Sequence, residues 1–169
     1  MSVDESVVCH LLQHLLCNTS WNEEGNEISI SPQAGEKFLF FRIDDQSNEG
    51  LKECLGMNGN NQQICDLLIY YQKKANNNNR FIKVVCLAEG KGKDISHAVD
   101  QIKNTFRVFN SKFSGVTWAA YVEIHQKSSP RNVKKQKVEL NSIGLEYCEI
   151  GKCKFQNFIR GINYSELTN

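Results

Sequence analysis

Three segments of the chain are predicted to be helical, two of them because apolar residues recur at helical spacing. The first is Asp4–Cys17, where leucines and valines repeat at helical spacing. The second is Ile95–Phe109, which follows Asp94, a residue type that caps helix N-termini well. The third is the polar segment 131–144 that begins after Pro130. These three segments provide the predicted helical part of the fold.

Four shorter runs are rich in β-branched, aromatic and other apolar residues, which is typical of strands. They are Lys37–Ile43, Cys65–Tyr71, Ile82–Glu89 and Val116–His125. The segment between the first two strands, 44–63, is predicted to be a loop with at most a short helix. The stretch Trp21–Gly35 is polar and is predicted to be irregular.

The C-terminal segment 145–159 is predicted to form a β-hairpin that turns at Gly151 and Lys152. Before this hairpin and the third helix, the order of elements is helix, strand, strand, strand, helix, strand. That order predicts an α/β fold with a C-terminal elaboration. No repeat or linker marks a second domain, so residues 1–169 are predicted to form one.

Composition narrows the class of protein without identifying it. The net charge of +1 does not indicate a nucleic-acid binder. Any surface that binds nucleic acid must therefore be a local cluster of lysine and arginine side chains. No apolar run approaches the roughly 20 residues that span a bilayer, and the acidic N-terminus is unlike a signal peptide. The seven cysteines are expected to be buried thiols, as Cys65 and Cys86 in apolar strands suggest; metal binding or disulfides are the alternative. We therefore predict a cytoplasmic protein without a membrane partner.

The polar segment QKKANNNNR separates the second and third strands and predicts an antiparallel connection. If the turn is centred between Asn77 and Asn78, Asp66 lies directly opposite Glu89. Opposed residues have Cβ atoms roughly 4.5–5.5 Å apart, so the two carboxylates would repel unless a cation lay between them. In a strand, Lys91 shares the face of Glu89, and Gly90 points to the other face.

Two carboxylates and one ammonium at one edge of a sheet are suited to phosphate chemistry. Mg²⁺ prefers carboxylate oxygens, with water and substrate phosphate completing its shell. Such a metal would relieve the repulsion and activate a water for attack on phosphorus. Lys91 could orient or deprotonate that water, or neutralise the charge that develops on the phosphate.

Asp66 followed by Glu89-Gly90-Lys91, in this order of elements, resembles the PD-(D/E)xK nucleases of the restriction-endonuclease-like fold. The segment AEGKGKDISHAVDQI is similar to small bacterial members in which the E-x-K strand leads into a helix carrying a glutamine, and Gln101 takes that place. The resemblance is strongest over Ile64–Thr105 and extends, as element order, from the first helix to about His125.

The resemblance implies a restriction-endonuclease-like core and a set of site residues. Asp66 and Glu89 would bind Mg²⁺ or Mn²⁺, with the carbonyl of Gly90 contributing, and Lys91 would be the catalytic lysine. Gln101 is counted among the catalytic residues by its position. The chain departs from the family pattern in three ways. No proline precedes Asp66, and position 105 is a threonine where many exonuclease members carry tyrosine. The extra first-helix carboxylate that some members use is not assigned, and Glu5 is the nearest candidate for it.

A nucleic-acid contact is predicted in the third helical segment. Lys134, Lys135 and Lys137 crowd this segment, and lysine contacts to phosphate supply most sequence-independent affinity. The alternative is a solvated helix face with no partner.

We therefore predict a nuclease that hydrolyses phosphodiester bonds, with DNA as the expected substrate. Restriction, phage defence or repair would be its roles by analogy. One alternative is a catalytically inactive module of the same fold that binds nucleic acid or protein; another is a structural protein in which Asp66, Glu89 and Lys91 form a salt-bridge network. The choice between DNA and RNA, the mode of cleavage and the oligomeric state stay open, although double-strand cutting by one site would favour a homodimer.

Overall fold

A mixed five-stranded β-sheet organises the chain, with helices and a small hairpin against its faces. The computed structural model describes residues 5–23, 25–45, 49–57, 63–75, 80–91, 94–124 and 129–163, with only the backbone at Lys91. The strands are β1 (Ser20–Glu23), β2 (Asn26–Ser29), β3 (Glu36–Arg42), β4 (Leu67–Lys74), β5 (Phe81–Lys91), β6 (Thr117–Ile124) and β7 (Tyr147–Gly151). The helices are α1 (Glu5–Gln13), α2 (Glu49–Cys54), α3 (Ile95–Phe109), α4 (Pro130–Ser142) and α5 (Phe155–Gly161).

The order of strands in the sheet is β3-β4-β5-β6-β7. Strands β3, β4 and β5 are antiparallel neighbours, whereas β6 is parallel to β5 and β7 is parallel to β6. Parallel neighbours need long crossover connections, and α3 and α4 are the helices in those connections. The predicted α/β class is confirmed. The predicted run of helix, three strands, helix and strand corresponds to α1, β3, β4, β5, α3 and β6, with β1 and β2 inserted before β3 and α2 inserted after it.

Alternating side chains of the sheet form two apolar cores on its two faces. On β5, Val85 and Leu87 join the core that contains α1, α2, α3 and α4. Val84, Cys86 and Ala88 join the other core, which is covered by the β1–β2 hairpin and α5. Helix α3 buries its apolar stripe as predicted, and the Asp94 side chain accepts a hydrogen bond from the His97 N–H (3.0 Å) at its N-terminus. Helix α3 thus lies directly over the central strand.

The prediction that Trp21–Gly35 is irregular is wrong, because β1 and β2 pair as an antiparallel hairpin there. Trp21, Ile28 and Ile30 are buried against the sheet. Only a few apolar residues carry this packing, and they are spread among polar neighbours, so the alternation over such short strands gave little signal. The short helix allowed within 44–63 is α2.

The predicted C-terminal hairpin is also wrong. Strand β7 pairs in parallel with β6 and ends at Gly151, and the chain then forms α5 rather than a returning strand. Phe155 and Ile159, four residues apart, are both buried, which is the spacing of a helix face. The first helix ends at Gln13, earlier than predicted. The predicted ends Asp4 and His125 lie outside the described residues.

All seven cysteines are free thiols. Cys65 and Cys86 are buried as expected, but Cys9, Cys17 and Cys153 are exposed, so the expectation of burial holds for only part of the set. Within the described parts of the chain, no helix is both long and apolar enough to cross a membrane.

Candidate active site

Asp66 and Glu89 lie opposite each other where β4 begins and β5 approaches its end. The register pairs Leu67 with Ala88, and one step further along both chains places Asp66 across from Glu89. The predicted register is therefore confirmed, although the turn predicted at the asparagines 76–79 falls outside the described residues. Because Val85, Leu87 and Glu89 alternate along β5, Glu89 is on the α3 side of the sheet.

Reciprocal hydrogen bonds hold the two carboxylates in place. The Asp66 N–H donates to Oε2 of Glu89 (2.9 Å), and the Gly90 N–H donates to Oδ2 of Asp66 (2.9 Å). Each side chain thus accepts a hydrogen bond from the backbone of the opposite strand. A carboxylate has about four lone-pair sites on two oxygens, so a group that accepts an N–H bond of this kind can also ligate a cation.

The two carboxylates differ in their exposure to solvent. Glu89 is fully buried, including its Oε1 atom, whereas Asp66 is half-buried. The neighbouring Cys65 thiol experiences both groups: burial raises its pKa well above the ordinary value, and the charges of Glu89 and then Asp66 raise it further. A buried carboxylate is costly unless opposite charge or donors compensate it. The site is therefore one that a cation would stabilise.

A metal ion bound by Asp66 and Glu89 would have few other side-chain ligands in the described part of the structure. In the described ranges, no group of three or more histidine, cysteine, aspartate or glutamate side chains is placed to hold a metal ion. The available donor set is two carboxylates plus backbone carbonyls and water, which matches the way Mg²⁺ is usually held. The donors that are present therefore fit a hard divalent cation.

Gly90 separates the site from the β1–β2 hairpin on the opposite face of the sheet. A Cβ atom at this position would lie 2.8 Å from Cβ of Asn26 and 3.1 Å from Cη2 of Trp21. Only glycine lets the hairpin approach this closely while its own N–H binds Asp66. No sequence pattern predicts this packing, because Trp21 and Asn26 lie in a stretch without a clear alternation of apolar and polar residues. The ligand role of the Gly90 carbonyl stays a prediction.

Helix α3 holds the segment that leads into Asp66. Nε2 of Gln101 donates to the carbonyl of Ile64 (3.0 Å). The Cys65 N–H donates to Oγ1 of Thr105 (2.8 Å), and this hydroxyl donates to the carbonyl of Gln101 (2.8 Å). All these groups are buried, so Gln101 lies within the core-facing side of α3 rather than beside its apolar stripe. The contacts support a positioning role for Gln101; its catalytic role stays a prediction.

Thr105 also holds the segment before Asp66, and this role was not predicted from the sequence. It is fully buried and accepts the N–H of the residue before Asp66. The sequence signal was its spacing of four residues from Gln101, which places both on one helix face. A buried threonine within an apolar helix face is itself a sign that some backbone group needs a partner.

Lys91 occupies the last position of β5, two residues after Glu89 and beside Ile124 of β6 in the register. Its side chain lies outside the described part of the structure. That this ammonium shares the face of Glu89 therefore stays a prediction.

The three predicted DNA-binding lysines differ in their surroundings on α4. Lys134 and Lys135 are exposed. Lys137 is half-buried, and its Nζ lies 2.7 Å from Oε2 of Glu149, so part of its charge is already balanced. The contribution of Lys137 to a phosphate contact is thus expected to be smaller than that of its neighbours.

Comparisons with protein-family models, with curated proteins and with solved structures found no match to this chain. The candidate site is therefore defined by its geometry and its chemistry. The carboxylates of Asp66 and Glu89 are held side by side, and Asp66 is partly exposed to solvent. Helix α3 holds the segment that precedes Asp66.

Proposed function

We propose that the protein is a divalent-metal-dependent nuclease that hydrolyses phosphodiester bonds in DNA. The observation that carries the proposal is the pair Asp66 and Glu89, opposed across two strands and fixed by reciprocal backbone hydrogen bonds. The order of α1, β3, β4, β5, α3 and β6 supports the further proposal of a restriction-endonuclease-like core. Restriction, phage defence and repair are the roles that such an activity would serve.

Each residue has a distinct part in the proposed reaction. Asp66 and Glu89 would hold Mg²⁺ or Mn²⁺ through their carboxylate oxygens, and the Gly90 carbonyl would add a ligand. When bound, such an ion supplies an acidified water and polarises phosphoryl oxygens. Lys91 would orient the water or neutralise charge on the phosphate. Gln101 and Thr105 would keep Asp66 in position.

A structural role is the second candidate, and the same hydrogen bonds support it. Because each carboxylate binds the backbone of the opposite strand, the pair also fixes the register of β4 and β5. A protein that used the pair only in this way would need neither metal nor substrate. The two candidates therefore differ in their response to divalent ions.

The decisive experiment is a cleavage assay. The purified protein is incubated with circular, linear and single-stranded DNA and with RNA, in Mg²⁺ or in Mn²⁺. We expect cleavage of DNA that EDTA abolishes, because the proposed chemistry needs the divalent ion. Cleavage that persists in chelator, or no cleavage of any substrate in either metal, would contradict the proposal.

The Asp66→Asn protein is expected to be more stable than the wild type without metal and less stable than it with metal. Two like charges about 5 Å apart repel by roughly 3 kcal/mol at an effective dielectric near 20, before screening. Weakening of the charge-assisted bond from Gly90 offsets about 1 kcal/mol of this gain, and screening removes more. We therefore expect a gain of about 1 kcal/mol in free energy of unfolding in EDTA. Thermal unfolding with increasing Mn²⁺ should raise the wild-type melting temperature above that of the mutant.

Asp100→Asn is the matched control, because Asp100 is an exposed aspartate of α3 that pairs with Lys103 away from the carboxyl pair. Its melting temperature should respond to Mn²⁺ as the wild type does. If Asp66→Asn instead lowers the melting temperature in EDTA by several degrees, Asp66 is a structural residue, and the second candidate is the better one.

A further inference from the structure

A groove lies at the edge of the sheet where β6 and β7 end, between those strands and α4. We call it the α4 groove; its volume is about 550 Å³. Three lysines line it, Lys134, Lys137 and Lys152, together with apolar side chains that include Val133, Val138 and Ile150. Val138 is 61% exposed. The groove thus combines an apolar floor with a basic rim.

The α4 groove adjoins the candidate active site. Ile124, which lines the groove, is the register partner of Lys91 at the end of β5. Ile124 and Ile150 belong to the core on the α3 side of the sheet, which is the side of Glu89. Neighbouring strands are about 4.8 Å apart, so the groove begins one strand away from Glu89 and two residues further along, and two strands away from Asp66. A chain bound in the groove would reach the site within a few nucleotides.

The charge of the groove is complementary to a phosphate backbone. Glu149 balances Lys137 at 2.7 Å, whereas Lys134 and Lys152 are exposed on opposite sides of the groove, one on α4 and the other after β7. Lysine contacts of this kind give sequence-independent affinity for nucleic acid. The apolar residues between them offer a surface for a base rather than for a phosphate.

We propose that the α4 groove binds a single-stranded segment of the nucleic acid, with Lys134 and Lys152 on its phosphates and an unpaired base against Val138. This inference rests on the proposed function, because the segment would lead to the carboxylates. A groove of this volume matches a small ligand of one or two nucleotides. A duplex presents its bases stacked and paired, so it would leave the apolar floor unused.

The proposal is tested by the binding of a dye-labelled oligothymidylate, measured by fluorescence anisotropy in EDTA so that no cleavage occurs. Lys134→Glu and Lys152→Glu should each weaken binding about 5–10-fold and reduce the log–log salt slope by about 0.7, the value for one contact to a single strand. Lys37→Glu is the matched control. It makes the same charge change at an exposed lysine of β3, at the other edge of the sheet, and Lys37 does not line the groove. It should change the affinity less than about twofold.

Two further comparisons test the base contact. An oligonucleotide with abasic sites in place of thymines should bind the wild type more weakly, and Val138→Ser should remove most of that difference. Equal affinity for the two oligonucleotides would overturn the base contact. Tighter binding of duplex than of single strand, or an equal loss of affinity in Lys37→Glu and Lys134→Glu, would overturn the groove as the binding site.

Failure of this proposal is distinguishable from failure of the proposed function. If the oligonucleotide binds as expected but no substrate is ever cleaved, the groove proposal stands and the nuclease proposal falls. If DNA is cleaved in Mg²⁺ and Lys134→Glu and Lys152→Glu leave KM unchanged, the nuclease proposal stands and the groove proposal falls.

Discussion

Replacing Lys91 by alanine is expected to lower the rate of DNA cleavage by about 10²–10³-fold, while the affinity for Mn²⁺ stays within a few-fold of the wild type. Removing one group that stabilises charge in a transition state typically costs this much in rate. An ammonium is not a metal ligand, so binding of the ion should survive. Single-turnover cleavage with saturating DNA gives the rate, and Mn²⁺ titration by calorimetry gives the affinity.

Two further variants make this result specific. Lys91→Arg keeps the positive charge but cannot act as a base, because an arginine does not deprotonate in proteins. Substantial activity in Lys91→Arg would assign an electrostatic role, and its loss would assign proton transfer or a strict geometry. Lys83→Ala removes a lysine near the other end of β5, beside Gln72 of β4, and should leave the rate unchanged. Equal losses in Lys83→Ala and Lys91→Ala would contradict a catalytic role for Lys91.

The register of β4 and β5 was predictable because two independent features of the sequence agree. The apolar runs set the extent of each strand, and the centre of the asparagine segment set their alignment. Since side chains alternate along a strand, an error of one residue would have moved Glu89 to the opposite face. The observed pairing of Leu67 with Ala88 matches the predicted alignment. The meeting of Asp66 with Glu89 could therefore be inferred without a structure.

The hydrogen bonds around the carboxylates could not be predicted in the same way. The bonds from Asp66 N–H and Gly90 N–H depend on side-chain conformation, which a sequence pattern does not specify. The support from Thr105 depends on how α3 crosses the sheet. The same limit explains the wrong C-terminal hairpin, because whether a segment after β7 returns as a strand or forms α5 depends on which face of the sheet is still uncovered.

An ion pair between Arg160 and the buried carboxylate of Glu36 connects the last turn of α5 to the sheet. Local sequence patterns do not reveal this pair, because the two residues are far apart in the chain. Nε of Arg160 donates to Oε1 of Glu36 (3.2 Å), and its terminal Nη2 donates to Oε2 (2.8 Å) and to the carbonyl of Ser31 (2.7 Å). The Tyr71 hydroxyl and the Gln33 N–H also bind Glu36. The Glu36 side chain is 0% exposed. These donors therefore stabilise the ionised form of Glu36.

Arg160→Ala is expected to lower the free energy of unfolding by about 3 kcal/mol, because it leaves a buried carboxylate without its cationic partner. Urea unfolding followed by circular dichroism measures the loss. Arg42→Ala is the matched control: Arg42 pairs with Glu23 at 2.9 Å, but both side chains are more than a third exposed, so the loss should stay below about 1 kcal/mol. Similar losses in the two variants would show that Arg160 acts as an ordinary surface residue.

The same ion pair should make the free energy of unfolding depend on pH in the acidic range. The hydrogen bond from Arg160 is the main cause that lowers the pKa of Glu36 below its ordinary value of 4.5, and burial opposes it in part. A carboxyl group whose pKa is lower in the folded state contributes stability above its unfolded pKa and loses that contribution as the pH falls through the folded pKa. The wild type should therefore lose stability from about pH 5 downwards more steeply than Glu36→Gln, which has no proton to bind at this position. Urea unfolding of both proteins across that range gives the two slopes. Equal slopes would mean that Glu36 titrates alike in the folded and unfolded chains, and that Arg160 does not stabilise its charge.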